Sequence, residues 1–371
     1  MPSTPRRAAA AKRTPAATAS AAAPSTPVAT PAAGRATIAD VARVAGVSKA
    51  TVSRFLNRGE LLTKDIAARV QAAVAELGYS PSPMAQALKR GRSRLIGLVV
   101  ADVTNPFSVA VLRGAEQACQ EAGYLVMLFN LGNDGSRERE AIEALASYQV
   151  EGFILNTLGR DPAAVAAAAK LDKPVVLVDR RHAGMQADFV SVDNAGSVQA
   201  ALEHLRAGGC RELLFLSEPC AGVSSRLERA QAFGHYLASA GGDCAGGVVE
   251  SAGEGELDAL VLALQQAKRR AGSRKRLGVL ASNAVVTLRL AAALERLGWQ
   301  FGRELDFVGF DETEWAPYVG PGLSTIAQPT NDLGRLAARC LLERLEGQDL
   351  PARQILLPGR LIVRGSSAHK T

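Results

Sequence analysis

TIADVARVAGVSKATVSRFLN, residues 37–57, decides the fold of the amino-terminal part of this 371-residue chain. Thr37 and Asp40 form a capping-box-like start to a first helix, and the apolar residues that follow recur at helical spacing. Gly46 interrupts that helix, and Ser48 is a good N-cap for a second one that continues to about residue 56. The stretch therefore predicts two short helices joined by a tight turn at a glycine.

A third helix is expected soon after this pair. Thr63 is placed to cap it, an apolar stripe from Ile66 to Leu77 gives it one buried face, and Gly78 stops it. Three short helices with a glycine turn between the first two form a helix-turn-helix unit, which we place at residues 37–81.

The second helix carries a basic and polar face. Lys49, Ala50, Ser53 and Arg54 lie on the side that points away from Val52. Arginine can hold a guanine through two hydrogen bonds, lysine can reach a base or a phosphate, and alanine can touch a thymine methyl group. This face is therefore a candidate for reading DNA, and a helical hairpin with an incidental basic face is the alternative.

The charge distribution favours the DNA-binding interpretation. Residues 1–94 carry fifteen basic and four acidic side chains, whereas the remaining 277 residues carry 28 basic and 32 acidic ones. A basic head on a mildly acidic body is typical of nucleic-acid-binding proteins. Within this head, residues 1–36 are rich in Ala, Pro, Ser and Thr and contain no acidic residue, so we expect a disordered basic tail.

Composition and motifs argue against several other classes of protein. The chain has 47% apolar and 21% charged residues, as ordinary soluble proteins do, and we expect no membrane span. Its five cysteines have no C-x-x-C spacing, which argues against a disulfide framework or a zinc site and favours a reducing cytoplasm. Because the motifs of nucleotide-binding and hydrolytic enzymes are missing, we expect no enzymatic activity, no catalytic residue, no metal and no cofactor.

From residue 95 onward, strand-like apolar runs alternate with helical segments. Runs that are apolar throughout indicate strands covered on both faces, and their alternation with helices indicates a parallel α/β fold. Seven such units suit two doubly wound subdomains. The predicted strands are LIGLVV (95–100), YLVMLF (124–129), GFILN (152–156), PVVLVD (174–179), ELLFLS (212–217), GVLAS (278–282) and DFVGF (306–310).

Polar or aromatic side chains follow four of these strands. Ligands of open α/β sheets bind beyond the carboxyl ends of the strands, so these positions are candidates for a cleft that binds a sugar-like molecule. Any one of them could instead cap a loop, but they recur at the same topological position. They are Asp102, Asn105 and Phe107 after the first predicted strand, Asn156 after the third, Asn283 after the sixth and Asp311 after the seventh.

The block at residues 37–57 resembles the headpiece of the LacI/GalR family of repressors. The resemblance continues through ELGYSPSPMAQALKRGRSRLIGLVVADVTNPF (76–107) to LIVRGS (361–366), so it covers roughly residues 37–366. It implies a helix-turn-helix headpiece followed by a periplasmic-binding-protein-like core that binds an effector and dimerises. The implied parts are the headpiece (37–81), a hinge helix or linker (82–94) and the core (95–371), with subdomain 1 at about 95–191 and 327–355 and subdomain 2 at about 192–326 and 356–371.

The resemblance also implies which residues contact DNA. Lys49, Ala50 and Arg54 lie where the family reads bases. Leu88 matches the hinge-helix leucine that the family inserts between bases of the minor groove, which bends the DNA; burial of Leu88 against the core is the alternative. Because this insertion needs two copies side by side, it implies a homodimer on a near-palindromic operator. The positions that mainly contact phosphates and brace the head are Ser48, Thr51, Ser53, Asn57 and Tyr79.

Arg229 matches the effector-binding arginine of the family's R-x-x-G-F motif, although Ala232 replaces the glycine of that motif. The family's common Asn-Asp pair is Asn283-Ala284 in this chain, which removes one carboxylate from the cleft. The first departure leaves the motif recognisable. The second changes the expected charge of the cleft.

Arg226 precedes Arg229 by one helical turn. Fewer acids and two arginines favour an anionic effector, because guanidinium pairs with carboxylate or phosphate; Arg226 could equally be solvated or paired with Glu228. The segments SEPCAGVSSRLERAQAF (217–233) and AQPTNDLGR (327–335), which includes Gln328, resemble family members that respond to 2-ketogluconate.

We therefore interpret the chain as a homodimeric, cytoplasmic and nucleoid-associated repressor of sugar-acid catabolism. It is expected to leave its operator when a small anionic sugar acid binds, and 2-ketogluconate is the first candidate. A family member that answers a different sugar, sugar acid or sugar phosphate is one alternative. A periplasmic-type sugar-binding protein with the same core is another, from a different functional class.

Overall fold

The computed structural model describes residues 36–57, 62–80, 92–159, 162–252, 255–272 and 276–368. The chain divides into two compact units, Met1–Ser82 and Pro83–Thr371. The expected basic tail, apart from residue 36, and most of the expected hinge, with Leu88, lie outside the described residues.

The described part of the first unit consists of three helices: α1 (Ile38–Ala45), α2 (Lys49–Asn57) and α3 (Lys64–Glu76). At the start of α1, the Thr37 hydroxyl accepts a hydrogen bond from the N–H of Asp40, and the Asp40 carboxylate accepts one from the N–H of Thr37. At the start of α2, the Ser48 hydroxyl accepts a hydrogen bond from the N–H of Thr51 at 3.1 Å. The predictions for both helix starts are confirmed.

The turn between α1 and α2 is fixed by a glycine and by an arginine from α3. Gly46 has a φ of 64°, a left-handed conformation that glycine adopts without steric cost. The Nη2 of Arg69 donates hydrogen bonds to the carbonyl oxygens of Ala45, at 2.7 Å, and Gly46, at 3.0 Å. Thr63 occupies the N-cap position of α3, but its side chain accepts no hydrogen bond there, so the expected hydroxyl cap is wrong.

The apolar sides of the three helices meet in one small core. Tyr79 packs against it from the segment that follows α3. This shared core determines which side of each helix is exposed. Its buried members are Val41, Ala42, Ala45, Val52, Val70 and Ala73.

The second unit contains two six-stranded sheets. All strands of the first sheet are parallel, and in the second sheet only β12 runs antiparallel to its neighbour. From edge to edge, the first sheet is β11 (Gln354–Leu357), β5 (Asp188–Val192), β4 (Val175–Val178), β3 (Gly152–Asn156), β1 (Leu95–Val100) and β2 (Leu125–Asn130). The second is β12 (Arg360–Ile362), β10 (Ser324–Ala327), β9 (Asp306–Phe310), β8 (Arg276–Ala281), β6 (Cys210–Ser217) and β7 (Ala245–Glu250).

Helices cover both faces of the sheets, as the apolar strand runs predicted. On β1, Ile96 and Leu98 belong to one buried cluster, and Val99 belongs to another on the opposite face. Edge strands are the exceptions: Leu125 of β2 is 64% exposed, Val248 of β7 is 42% exposed and Leu356 of β11 is 43% exposed. The helices of this unit are α4 (Pro106–Glu121), α5 (Glu138–Ser147), α6 (Pro162–Lys170), α7 (Asn194–Ala207), α8 (Ser224–Ser239), α9 (Glu256–Ala271), α10 (Ala284–Leu297) and α11 (Thr330–Leu345).

All seven predicted strands are present, with ends that differ by at most two residues. Five further strands, β5, β7, β10, β11 and β12, were not predicted. Three of these five lie at sheet edges, where pairing on one side alone requires no long apolar run. The fold class is nevertheless confirmed: two doubly wound, parallel-sheet subdomains follow a helix-turn-helix unit.

The late helix α11 returns to the first sheet through a close contact with α4. A β-carbon on Gly114 would lie 2.0 Å from the carbonyl oxygen of Asn331, and one on Gly334 would lie 2.0 Å from that of Val111. Both helices also pack their apolar sides on β1 and β4 in one buried cluster. This contact joins the carboxyl-terminal part of the chain to the first subdomain.

Among the helices that the structure describes, none is long and apolar enough to cross a membrane.

Candidate functional site

The exposed face of α2 is the first candidate site. Lys49, Ala50 and Arg54 are exposed, whereas Val52 on the same helix is completely buried, which fixes the rotation of α2 about its axis. At the helix start, the hydroxyl oxygens of Ser48 and Thr51 lie 2.9 Å apart. A helix N-terminus with two hydroxyls and a lysine can hold a phosphate, and the exposed Arg54 can reach beyond it.

The other residues expected to contact DNA have varied surroundings. Ser53 is partly buried on α2, and Tyr79 is partly buried against the headpiece core, as a bracing residue would be. Asn57 is the last residue of α2. Their contacts with phosphates stay a prediction.

The second candidate site lies where the carboxyl ends of the two sheets meet; we call this region the cleft. Arg229 of α8 is its best-connected residue. Its Nε donates to Oδ1 of Asn194 at 2.7 Å, its Nη1 to the carbonyl oxygen of Ser282 at 2.5 Å, and its Nη2 to Oε1 of Gln328 at 3.2 Å. The guanidinium also stacks on the ring of Phe310, with its central carbon 3.9 Å from the ring centroid. Arg229 is therefore held rigidly and is almost completely buried.

Asp179 approaches Arg229 from the first subdomain. It follows β4, and its Oδ1 lies 4.0 Å from Nη2 of Arg229. Its Oδ2 accepts a hydrogen bond from the Ser225 hydroxyl at 3.2 Å. Nearby, the N–H of Arg181 donates to the Ser224 hydroxyl at 2.8 Å. These contacts join the two subdomains directly across the cleft.

Asp311 is the carboxylate of the second subdomain in this cluster. Its Oδ2 accepts a hydrogen bond from the N–H of Ala284 at 3.0 Å, and its Oδ1 accepts one from Nε2 of Gln328 at 2.6 Å. Burial raises the pKa of Asp311, although the nearby Arg229 acts in the opposite direction. Gln328 thus bridges two residues, Asp311 and Arg229, that the sequence also placed in the cleft.

Arg226 has a partner that the sequence analysis did not consider. Its Nη2 donates to Oε2 of Glu218 at 2.5 Å, and its Nη1 donates to the carbonyl oxygen of Pro219 at 3.2 Å. Nδ2 of Asn283 donates to the same Oε2 of Glu218 at 2.8 Å. Both expected alternatives are wrong: Arg226 is buried, and Glu228 instead forms an ion pair with Arg181, with 3.5 Å between Oε1 and Nε.

The remaining predicted cleft residues lie at the carboxyl ends of β1 and β3, and each has a structural role. Asp102 accepts hydrogen bonds from the N–H of Thr104 and the amide of Asn133. Asn105 caps α4, and the buried Asn156 donates to the carbonyl oxygen of Val178. Phe107 is buried in the core of the first subdomain. Effector contact by Asp102, Asn105, Phe107 and Asn156 stays a prediction.

The charge of the cleft is more balanced than its two predicted arginines suggested. Three carboxylates lie among three buried arginines, so the formal charges of this set balance. The balance means that charge alone does not select an anionic ligand. The carboxylates belong to Asp179, Glu218 and Asp311, and the guanidinium groups to Arg180, Arg226 and Arg229.

Several buried polar atoms in this region make no hydrogen bond to the described residues. They are Oδ1 of Asp179, Nε of Arg180, Nδ1 of His182 and Oγ of Ser282. The other ring nitrogen of His182 lies 2.7 Å from the hydroxyl of Thr157, and burial, helped by Arg180, lowers the pKa of His182 to about 4. Buried polar groups without partners are costly, and they mark places where a polar ligand can bind.

Asp179 and Glu218 are the functional candidates that sequence reasoning missed. Asp179 is the last residue of the predicted strand 174–179 and directly follows β4, and Glu218 directly follows β6, close to the position that had marked Asn156, Asn283 and Asp311. The same rule would therefore have found them.

A separate cavity of about 650 Å³, lined in part by Val175 and Leu350, lies at the amino ends of β4 and β5, away from the cleft.

Comparisons with known proteins agree with this division. Residues 37–82 match the model of bacterial regulatory proteins of the lacI family, and residues 93–269 match that of periplasmic binding proteins and the sugar binding domain of the LacI family. The HTH-type transcriptional regulator PtxS of Pseudomonas plecoglossicida is 44% identical over 90% of this chain and 96% of its own length. The chain belongs to the LacI family.

Other LacI-family proteins are similar over the same span. The HTH-type transcriptional regulator KdgR of Bacillus subtilis is 37% identical over 90% of this chain and 98% of its own length. A crystal structure of the lac repressor dimer bound to operator and the anti-inducer ONPF superimposes with a TM-score of 0.78 at 24% identity, covering 91% of this chain and all of that one. The latter likeness shows the fold. This LacI-family chain is therefore a transcriptional regulator with a helix-turn-helix head and a ligand-binding core.

Proposed function

We propose that the chain is a cytoplasmic, homodimeric repressor that leaves a near-palindromic operator when a sugar acid, first of all 2-ketogluconate, binds in the cleft. The observation that carries this proposal is the set of buried polar atoms near the cleft that make no hydrogen bond to the described residues. A sugar acid carries hydroxyl groups that both donate and accept hydrogen bonds, and a carboxylate that an arginine can hold. No apolar ligand would satisfy such a site.

The DNA-binding half of the proposal rests on α2. Its exposed Lys49 and Arg54 stand on a helix whose buried face fixes their direction. The solved lac repressor is a dimer bound to operator. A dimer of this chain would present two such helices to two half-sites related by two-fold symmetry, which is why we propose a near-palindromic operator.

The dimer also has a candidate surface on the core. The edge strand β2 exposes Leu125 and Leu128, and apolar side chains in such a position favour contact with another chain.

The insertion of Leu88 between bases belongs to this proposal as well. It concerns a residue outside the part of the chain that the structure describes.

The contacts across the cleft support the proposed release of the operator. Asp179 and Arg181 of the first subdomain contact Arg229 and Ser224 of the second. An effector bound among them changes these contacts and with them the relative stability of two arrangements of the subdomains. Coupling free energies of about 1–3 kcal/mol are typical of such systems and correspond to a change in operator affinity of about 5- to 150-fold.

The choice of a sugar acid rests on Arg226, Arg229 and Arg180 and on the resemblance of residues 217–233 and 327–335 to regulators that respond to 2-ketogluconate. Because three carboxylates balance these arginines, a neutral sugar is the leading alternative effector, and a sugar phosphate is another. A periplasmic-type sugar-binding protein would share this cleft, but it would have no use for α1 to α3.

Thermal unfolding of the purified protein with sugar acids, sugar phosphates and neutral sugars would test the effector. A ligand that binds only the folded protein stabilises it by about 2.7 kcal/mol at one hundred times its Kd. We expect 2-ketogluconate to raise the Tm and then to release a fluorescent operator fragment in an anisotropy titration. A shift with neutral sugars alone would contradict the anionic effector and leave the DNA-binding function intact.

A further inference from the structure

We propose that Glu218 is a built-in competitor for the carboxylate of the effector. Its side chain occupies an anion-binding position formed by Arg226 and Asn283, and a sugar acid must displace it to bind there. This inference rests on the proposed function, because it assigns the carboxylate of that effector to a position inside the cleft.

Two donors from different elements converge on one oxygen atom. Nη2 of Arg226, on α8, and Nδ2 of Asn283, after β8, lie 2.5 Å and 2.8 Å from Oε2 of Glu218. Charge-assisted hydrogen bonds of this kind also bind the carboxylate of a ligand. The position therefore already binds a carboxylate, and that carboxylate belongs to the protein.

Both donors are held in place by other contacts. Nη1 of Arg226 donates to the carbonyl oxygen of Pro219 at 3.2 Å. The amide oxygen of Asn283 accepts a hydrogen bond from the N–H of Val286 at 2.9 Å, which turns its Nδ2 toward Glu218. The position is thus preorganised for an anion and does not depend on Glu218 for the direction of Asn283.

Glu218 is the more exposed member of the pair. Its side chain is 20% exposed, whereas that of Arg226 is 10% exposed. It lies in the loop between β6 and α8, so a change of side-chain rotamer can carry its carboxylate toward solvent. Because a buried guanidinium that loses its carboxylate favours another anion in its place, a ligand carboxylate can take over the position.

The competition gives the cleft a selectivity that its balanced charge does not. A neutral sugar offers only hydroxyl groups, which are weaker acceptors than the ionised carboxylate of Glu218. A sugar acid offers an equivalent carboxylate together with hydroxyl groups for the rest of the cleft. The Glu218 carboxylate must leave the position before another anion can enter it, so Glu218 lowers the affinity for every anion.

The first experiment uses Glu218→Gln, with Glu228→Gln as the matched control in the same cleft. Glu228 pairs with Arg181 and Asn194 and makes neither of the contacts of Glu218. By calorimetric titration, Glu218→Gln is expected to bind 2-ketogluconate about tenfold more tightly than the unmodified protein, because a neutral amide competes less well for Arg226. The control is expected not to tighten binding. Weaker binding by Glu218→Gln would show that Glu218 is itself a ligand of the effector and would overturn the proposal.

The second experiment does not depend on the identity of the effector. Glu218→Ala empties the position, and acetate, compared with chloride at equal ionic strength, is expected to raise the Tm of this variant. Acetate should change neither the unmodified protein nor the double variant Glu218→Ala, Arg226→Ala in this way. Equal responses of all three proteins would overturn the proposal. If no sugar acid binds the unmodified protein, the proposed effector fails, and the acetate result still decides the role of Glu218.

Discussion

Asp179 of the first subdomain and Arg229 of the second face each other across the cleft, with 4.0 Å between Oδ1 and Nη2. This pair connects the two halves of the core at the position where the effector is proposed to bind. Asp179 accepts a hydrogen bond from the Ser225 hydroxyl, and Arg229 donates hydrogen bonds to the side chain of Asn194 and the carbonyl oxygen of Ser282. A ligand that inserts here must exchange contacts with both subdomains, which is the condition for shifting them relative to each other.

Replacement of Arg229 should uncouple effector from operator. Arg229→Ala removes a buried group that contacts both subdomains, and truncation of a buried charge partner costs about 2–5 kcal/mol of binding. We expect effector affinity to fall at least about 30-fold, while the variant still binds its operator when no effector is present. Operator release in the anisotropy assay, at effector concentrations that release the unmodified protein, provides the measurement. Unchanged release would remove Arg229 from the effector site.

Replacement of Arg54 should affect DNA alone. Arg54→Ala removes an exposed guanidinium from α2, and a good bidentate contact to a base contributes about 1–3 kcal/mol of discrimination. Operator affinity should approach that for unrelated DNA, and the Tm shift with effector should persist. Arg43→Ala is the matched control, since Arg43 is an exposed arginine of α1 that pairs with Asp40. If both variants lose discrimination equally, α2 is not the base-reading helix.

A single methyl group at Gly114 should destabilise the core. A β-carbon at this position would lie 2.0 Å from the carbonyl oxygen of Asn331, so α4 and α11 must separate. We expect Gly114→Ala to lower the free energy of unfolding by about 3 kcal/mol or more, at the upper end of overpacking effects. Gly234→Ala is the control: this glycine of α8 has nothing within 4 Å of the added carbon, and alanine there should stabilise the helix by up to about 1 kcal/mol. Denaturant titration measures both values.

His182 should make the protein less stable in mild acid. Burial lowers its pKa in the folded protein from 6.5 to about 4, so between these values the unfolded chain binds a proton that the folded chain does not. The unfolded state is therefore favoured as the pH falls from 6.5 to about 4, with a loss of about 3 kcal/mol over the full interval. The difference in unfolding free energy between pH 7 and pH 5 should shrink in His182→Gln.

The exposed His235 supplies the control for this pH dependence. His235→Gln should leave the pH dependence as it is in the unmodified protein. An equal response of both variants would contradict the assignment to His182.

Much of the cleft follows from one topological rule. The rule that polar residues follow buried strands selected Asp311 and Asn283, and it would have selected Asp179 and Glu218. The rule did not predict which side chains form ion pairs. Arg226 binds Glu218, eight residues earlier in the chain, rather than Glu228 on its own helix. Side chains on one helix face compete for partners from other elements, and spacing within the helix does not decide that competition.

The sequence by itself determined the local structure of this protein. The capping residues at Thr37 and Ser48, the turn at Gly46 and the apolar strand runs act over a few residues, and these signals predicted the helix-turn-helix head and seven strands of the core. Only the tertiary structure decided the five remaining strands, the return of α11 to the first sheet and the charge balance of the cleft. Each of these depends on groups that are far apart in the chain and meet only when the sheets have formed. The interaction energies between such groups therefore cannot be predicted from any single stretch of sequence.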